Sequence, residues 1–172
     1  MTARIRQILV KEVVSLFDLK PGVVEDADDD MTTGLDDIRL TSNNSNIDPQ
    51  QQKKQEYGYP KEELNSAVGY TAQMLDLIVR YLGIKLPFEL YRKGIHIYIH
   101  SIPHSSLYPN QSKKPLFLED DKNFRKFLTG VSMLNYDIAY LCYTQGAHIP
   151  LSQVANTLQN LMICCNAPSL GL

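Results

Sequence analysis

Three of the four histidines lie close together in the stretch GIHIYIHSIPHS, which runs from Gly94 to Ser105. Histidines four positions apart meet on one face of a helix and can share a zinc ion. Here isoleucines alternate with the polar residues, and that alternation predicts a strand. On a strand His96 and His100 share a face but lie about 13 Å apart, which is too far for a metal with bonds of about 2 Å, and Pro103 separates His104 from both. We therefore predict a strand with a histidine-bearing polar face and no metal site, or, as an alternative, a pH-responsive face.

The three cysteines show no pattern of disulfides or of catalysis. Cys142 stands alone, and Cys164 and Cys165 are adjacent. A catalytic thiol needs a partly exposed, electropositive position, whereas Cys142 falls on the apolar face of a predicted helix and the other two lie near a helix C-terminus. The sequence predicts reduced, structural thiols in a cytosolic compartment.

A small hydrolase is the alternative from another functional class. It would use His100 or His104 as the base, with Ser105 or Cys142 as the nucleophile. The chain has no G-x-S-x-G turn and no acidic partner near these residues, and it has no glycine-rich loop for a nucleotide. We predict that the protein is not an enzyme, with no catalytic residues and no cofactor.

Basic residues stand beside aromatic residues at two places in the chain. Such pairs are typical of proteins that contact a membrane surface peripherally, because the ring and the aliphatic stem enter the interface while the charge faces the lipid headgroups. Strand ends with solvated charges are the alternative explanation. The candidate membrane or partner surface consists of Phe88, Tyr91, Arg92, Lys93, Lys113 and Lys114.

Composition limits the remaining choices. The 172 residues are 44% hydrophobic, which is enough for one domain with a core. A net charge of −2 gives no basic face for nucleic acid, so we expect no such partner. No apolar stretch approaches the roughly 18 residues of a membrane-spanning helix, and the charged N-terminal segment does not resemble a signal peptide.

The first part of the chain divides into three segments. Residues 1–17 are predicted to form a helix that ends a coiled coil and leads into the domain, with a narrow apolar seam. Residues 18–23 are predicted to be a short strand and turn, with the strand near 16–20, and residues 24–56 a disordered acidic and polar insertion. The seam, which is the predicted partner-binding surface, consists of Ile5, Ile8, Leu9, Val13 and Leu16.

Residues 57–172 are predicted to form one α+β domain, with a small mixed or antiparallel sheet packed against long helices. A helix runs from Pro60 to Gly83, and IKLPFELY, GIHIYIHS and KPLFLED are the strands. Asp120 or Asp121 caps a long helix, and Ser152 caps the last one. A second stripe on the long helix predicts that it is covered on more than one side; it consists of Tyr136, Tyr140 and Tyr143.

Several pieces of this domain, taken together, resemble a known family. They are SAVGYTAQMLDLIVRYLGIKLPFELYRKG, SLYPNQ and the segment from FRKFLTG to LQNLM, which includes Leu134, Asn135, Gln145 and Asn160. In this order they are similar to the C-terminal region shared by the UV-radiation-resistance-associated protein and the autophagy-related protein fourteen family. The resemblance covers roughly residues 66–165.

The resemblance implies a non-catalytic regulatory subunit of the class III phosphatidylinositol 3-kinase complex. It implies a Beclin-type partner bound through the coiled coil, contact with the kinase and its regulatory kinase-like subunit, and a domain of the β-α repeated autophagy-specific type. It also implies a cytoplasmic protein that sits peripherally on endosomal or autophagic membranes.

Two branches of the family are compatible with the sequence. The Arg92-Lys93-Gly94 corner is similar to the UV-radiation-resistance branch, which serves endosomal sorting, and this is the interpretation that we favour. The final LQNLM is similar to the autophagy-initiation branch. The long coiled coil of the family is missing, so we expect a fragment or a shortened relative. After the Arg92-Lys93-Gly94 corner this chain reads IHIYIHS, whereas the UV-radiation-resistance branch has a serine-rich pattern there.

Overall fold

A computed structural model describes residues 2–17, 60–101 and 113–172. These residues form four α-helices and one antiparallel sheet, which confirms the predicted α+β class. The helices are α1 (Ala3–Leu16), α2 (Lys61–Leu82), α3 (Phe124–Thr144) and α4 (Thr157–Cys165), and the strands are β1 (Phe88–Lys93), β2 (His96–Ser101) and β3 (Lys114–Pro115). None of the described helices combines the length and the apolar character that crossing a bilayer requires.

Helix α2 begins and ends where its sequence signals lie. Pro60 precedes its first turn, and Glu62 and Glu63 complement the positive end of the helix dipole. Gly83 ends it with a φ of 69°, a left-handed conformation that glycine adopts without cost. The buried face of α2, which includes Leu75 and Ile78, forms one wall of the core.

The sheet has the order β1-β2-β3. A two-residue turn, Gly94-Ile95, joins the first two strands, so that Lys93 pairs with His96. Ile97 and Ile99 are buried on the inner face of the sheet, whereas His96 lies on the outer face. The predicted histidine strand is thus confirmed, and the third predicted strand is reduced to two residues.

Helix α3 packs closely against β3. A Cβ atom added at Gly130 would lie 2.7 Å from the carbonyl oxygen of Pro115 and 3.3 Å from Cβ of Lys114. A glycine in the middle of a helix costs up to about 1 kcal/mol relative to alanine. At this position the cost is offset because the strand can approach the helix backbone.

Gly130→Ala is therefore expected to destabilise the fold by about 1–3 kcal/mol, because the overpacking against backbone exceeds the gain in helix propensity. Gly69→Ala is the matched control, because a Cβ atom at Gly69 meets nothing within 4 Å; it should raise the free energy of unfolding slightly. Thermal melting of both variants checks this. Equal shifts in the same direction would contradict the close packing.

The last helix begins later than the sequence suggested. Pro150 is followed by a 3₁₀ turn, Leu151–Gln153, and α4 starts at Thr157. The prediction that Ser152 caps this helix is therefore wrong. The buried amide of Asn160 donates a 2.8 Å hydrogen bond to the carbonyl of Gln153 in this turn, and the contact stabilises the turn as a separate element.

Helix α1 packs on the domain rather than standing apart from it. Val10 and Val13 are buried in the common core, Arg6 donates to the carbonyl of Gly171, and Gln7 donates to the carbonyl of Leu170. The helix continues to Leu16, so the predicted strand near 16–20 is wrong at its first residue. The rest of that strand, the turn to residue 23 and the insertion at 24–56 lie outside the described residues.

Candidate partner and membrane surfaces

The histidines of β2 stand on the outer face of the sheet, each beside a different neighbour. The ring of His96 stacks on Phe117 with centroids 4.1 Å apart, and His100 is paired in the ladder with Glu89. Within residues 2–17, 60–101 and 113–172, no three histidine, cysteine or acidic side chains are grouped so that they could hold a metal ion. His104 lies outside these ranges.

All three cysteines are buried and free. The thiol of Cys142 donates to the carbonyl of Asn160 across 3.2 Å. Burial raises the pKa of Cys165 to about 12, and a hydrogen bond with Cys142, together with burial, raises the pKa of Cys164. A hydrogen bond with the Cys164 side chain lowers the pKa of Cys142, but the Cys142 thiol is fully buried, and a thiol that no substrate can reach does not act as a nucleophile. The geometry of the Cys142 region therefore favours a structural role, and Ser105 of the alternative hydrolase lies outside the described residues.

Two polar residues that carry the family resemblance are structural. The side-chain oxygen of Gln145 accepts a 2.7 Å hydrogen bond from the backbone N–H of Gly171, and Ser169 donates to the Gln145 carbonyl. Asn160 bonds to the turn before α4. Gln145 thus fixes the path of the C-terminal segment, and the amide N–H of Asn160 holds the turn before α4, while the buried Oδ1 atom of Asn160 has no partner among the described residues.

The predicted coiled-coil seam is split between two directions. Val13 packs into the domain and Leu9 is partly buried. Ile5, Ile8 and Leu16 are 47%, 51% and 78% exposed, respectively, and lie on one side of α1. Val10 is fully buried although it lies outside the predicted seam. The helix thus has an inner stripe, Val10 and Val13, and an outer stripe, Ile5, Ile8 and Leu16.

The candidate membrane surface is likewise divided, because neighbouring residues of a strand point to opposite faces. Tyr91 and Lys93 lie on the outer face, and the ammonium of Lys113 stands 3.6 Å from the centroid of the Tyr91 ring. Phe88 and Arg92 lie on the other face, where Phe88 packs edge-on against Tyr136 with centroids 5.7 Å apart.

Lys114 belongs with the second group. It pairs in register with Ile99, and its Cβ atom approaches Gly130 of α3. Three of the six predicted residues, Tyr91, Lys93 and Lys113, therefore share the outer face, and three do not.

One exposed apolar residue at the tip of the hairpin is not among the predicted site residues. Ile95 is 91% exposed, and Gly94 before it has a φ of 61°. An isolated apolar side chain next to Lys93 could have been recognised from the sequence as the typical composition of a membrane-contacting tip. We call Tyr91, Lys93, Ile95, His96 and Lys113 the hairpin face.

The tyrosine stripe on α3 is not covered in the way that the sequence suggested. Tyr136, Tyr140 and Tyr143 are all exposed. Helix α3 is covered on more than one side, as predicted, because α2, α4 and the sheet contact it, but the tyrosine stripe is not one of the covered sides. Within the described fold the stripe is mostly exposed to solvent, apart from the edge-on contact of Tyr136 with Phe88.

Comparison with known proteins gives one family and two curated relatives. The family described as vacuolar sorting 38 and autophagy-related subunit 14 matches residues 1–168. Autophagy-related protein 14 of Gibberella zeae is 28% identical over 144 residues, with 59% of this chain and 32% of that protein covered. UV radiation resistance-associated protein of Mus musculus is 31% identical over 97 residues, with 56% of this chain and 14% of that protein covered.

The chain thus spans about a third or less of the length of these relatives. No solved structure matches it significantly.

Proposed function

Because the chain belongs to the family of vacuolar sorting 38 and autophagy-related subunit 14, we propose that it is a non-catalytic regulatory subunit of a class III phosphatidylinositol 3-kinase complex. Autophagy-related regulation is the role of this family. In our proposal the chain binds a Beclin-type partner, joins the kinase and its regulatory kinase-like subunit, and acts in endosomal sorting and autophagy. A subunit of the autophagy-initiation branch is the alternative within the same complex.

The outer stripe of α1 is the observation on which the partner interaction rests. A helix whose other stripe is already packed in the core has no structural need for further exposed isoleucines and leucines. Large aliphatic residues at this spacing are what a second helix packs against in a coiled coil. Burial of each would contribute about 1.5–3 kcal/mol to association.

Replacement of two stripe residues tests the proposal. Ile5→Asp with Ile8→Asp is expected to reduce capture of a co-expressed Beclin-type protein at least tenfold, because two carboxylates would be desolvated at the helix contact. Leu151→Asp is the matched control, since Leu151 is 93% exposed and lies in the turn before α4. Quantitative pull-down from cells that express both proteins gives the result. Equal capture of all three proteins would refute the role of the outer stripe.

The hairpin face supports a second part of the proposal, which is peripheral contact with endosomal or autophagic membranes from the cytoplasm. In this proposal Ile95 enters the headgroup region, and Lys93 and Lys113 attract anionic lipids. Each basic residue near an anionic surface contributes about 1 kcal/mol, or about fivefold in binding.

Ile95→Glu with Lys93→Glu should therefore weaken binding to vesicles that contain phosphatidylserine by more than tenfold. Leu151→Glu should leave it unchanged, because that exposed leucine stands apart from the hairpin face. Flotation with these vesicles measures the binding of the double variant and of the Leu151→Glu control. Phosphatidylcholine vesicles serve as the uncharged reference. If the double variant floats like the unmodified protein, the membrane contact lies elsewhere.

A further inference from the structure

A groove separates α2 from the hairpin end of β1. Its volume is about 400 Å³, and it opens beside the edge of the sheet. Its walls combine aliphatic side chains with two arginines and one aspartate; the lining includes Leu77, Leu90, Ile97, Arg80, Arg92 and Asp76. The groove shares no residue with the outer stripe of α1 and only Tyr91 with the hairpin face.

The backbone of β1 can accept another strand along this groove. Among the described strands, β1 pairs with β2 alone. The N–H of Phe88 donates to the Oδ1 atom of Asp137 at 3.0 Å, so it points away from β2. In an antiparallel ladder the backbone N–H and C=O groups of successive residues alternate in direction. Leu90 and Arg92 therefore also direct their N–H and C=O groups away from β2, towards the open edge. A strand edge with free donors and acceptors is a template for an added strand.

The side chains beside this edge define what such a strand must carry. Leu90 and Leu77 offer an apolar contact. Arg80 pairs with Asp76 at 2.9 Å, but both side chains are solvent-accessible, and such a pair is weak enough to be exchanged. Arg92 has no carboxylate partner among the described residues. The groove therefore carries a net positive charge, which suits aliphatic and acidic side chains.

We propose that an extended, acidic segment of a partner protein binds in this groove as a fourth strand beside β1. Its backbone pairs with Leu90 and Arg92, one aliphatic side chain contacts Leu90, and carboxylates contact Arg92 and Arg80. This mode of recognition takes affinity from main-chain hydrogen bonds and specificity from alternate side chains. A second copy of this chain would bring the same positively charged edge to the groove, which disfavours it as the occupant.

A labelled peptide is the probe for this site. It has seven residues, in which threonine alternates with one valine and two aspartates, so that the valine and both aspartates face the groove. Binding to the full chain is measured by fluorescence anisotropy. The first control peptide carries N-methyl groups on the amides that would face β1, and the second has lysine in place of aspartate. Both are expected to bind at least tenfold more weakly.

Variants of the protein test the same contacts from the other side. Arg92→Glu should weaken peptide binding at least tenfold, and Arg125→Glu, an exposed arginine at the start of α3, should not. Arg92→Pro removes an outward N–H without removing a β1–β2 ladder bond, and proline is tolerated at such edge positions. It should abolish binding while the melting temperature stays close to that of the unmodified protein. If this variant does not fold, the N-methylated peptide still tests the backbone contact on the unmodified chain.

The proposal is overturned if the acidic peptide does not bind, or if the methylated or lysine peptide binds equally well. It is also overturned if Arg92→Glu converts a dimer into a monomer in size-exclusion chromatography, because the occupant would then be a second copy. None of these experiments involves the outer stripe of α1. Failure here therefore leaves capture of the Beclin-type partner unaffected, and the two proposals can fail separately.

Discussion

Asp137→Asn is expected to make the protein more stable at neutral pH and to remove a large part of its pH dependence. Asp137 is fully buried in α3, its Oδ1 atom accepts the Phe88 N–H, and its Oδ2 atom has no partner among the described residues. Burial raises the pKa of this carboxyl from 3.8 to about 7, against the smaller lowering effect of the Phe88 hydrogen bond.

The direction of the effect follows from proton linkage. Because the folded state holds the proton more tightly, the contribution of Asp137 to stability is fully present below pH 3.8 and is lost as the pH rises through about 7. The full difference corresponds to on the order of 4 kcal/mol. Asparagine keeps the acceptor for Phe88 and cannot ionise, so it avoids this loss.

Urea denaturation of both proteins at pH 5, 6, 7 and 7.5 measures the effect. The stability advantage of Asp137→Asn should grow by about 2–3 kcal/mol across this range. Asp76→Asn is the control, because it changes a solvent-accessible carboxylate paired with Arg80; its curve should run nearly parallel to that of the unmodified protein. A parallel curve for Asp137→Asn as well would show that the buried carboxyl does not titrate in this range.

Val10→Asp is expected to destabilise the fold by more than about 4 kcal/mol, whereas Ile8→Asp should change the free energy of unfolding by less than about 1 kcal/mol. Val10 is fully buried against the core, so the substitution removes an apolar contact and places a carboxylate where water cannot reach it. Ile8 is half exposed on the other stripe of the same helix. Domains of this size have a total stability of only about 5–15 kcal/mol.

Chemical denaturation of the isolated chain distinguishes the two positions. Val10→Ala supplies an intermediate case that still folds, with an expected loss of about 1–3 kcal/mol. If Ile8→Asp proved the more damaging substitution, the inner and outer stripes would be assigned to the wrong sides of α1. The substitutions Val10→Asp and Ile8→Asp also distinguish the role of α1 in the core from its role in partner binding. Ile8→Asp should weaken partner binding while the domain stays folded.

The choice between these two stripes could not be made from the sequence. Apolar residues occur on neighbouring sides of α1, and periodicity alone indicates only that the helix is amphipathic. Which side enters the core depends on where α2 and the C-terminal residues lie. The contacts of Arg6 with Gly171 and of Gln7 with Leu170 join segments more than 160 positions apart, and no local pattern predicts them.

Local signals were more informative. Proline and glycine delimit α2 in the sequence as they do in the structure, because each acts on the backbone of its own neighbourhood. The alternation of isoleucine and histidine also predicted β2 correctly. The six residues of the candidate membrane surface do not share one face of the sheet. They were chosen as neighbours in sequence, and neighbours on a strand alternate between faces.

Helix α2, strand β2 and the resemblance to this family could be recognised in the sequence, since local backbone preferences and a recurring order of motifs are both written along the chain. The packing of the domain sets which stripe of α1 remains exposed, buries Asp137 against the start of β1, and forms a groove with two arginines along the edge of that strand. These features depend on how distant segments pack, and burial and solvent access exist only after that packing has formed.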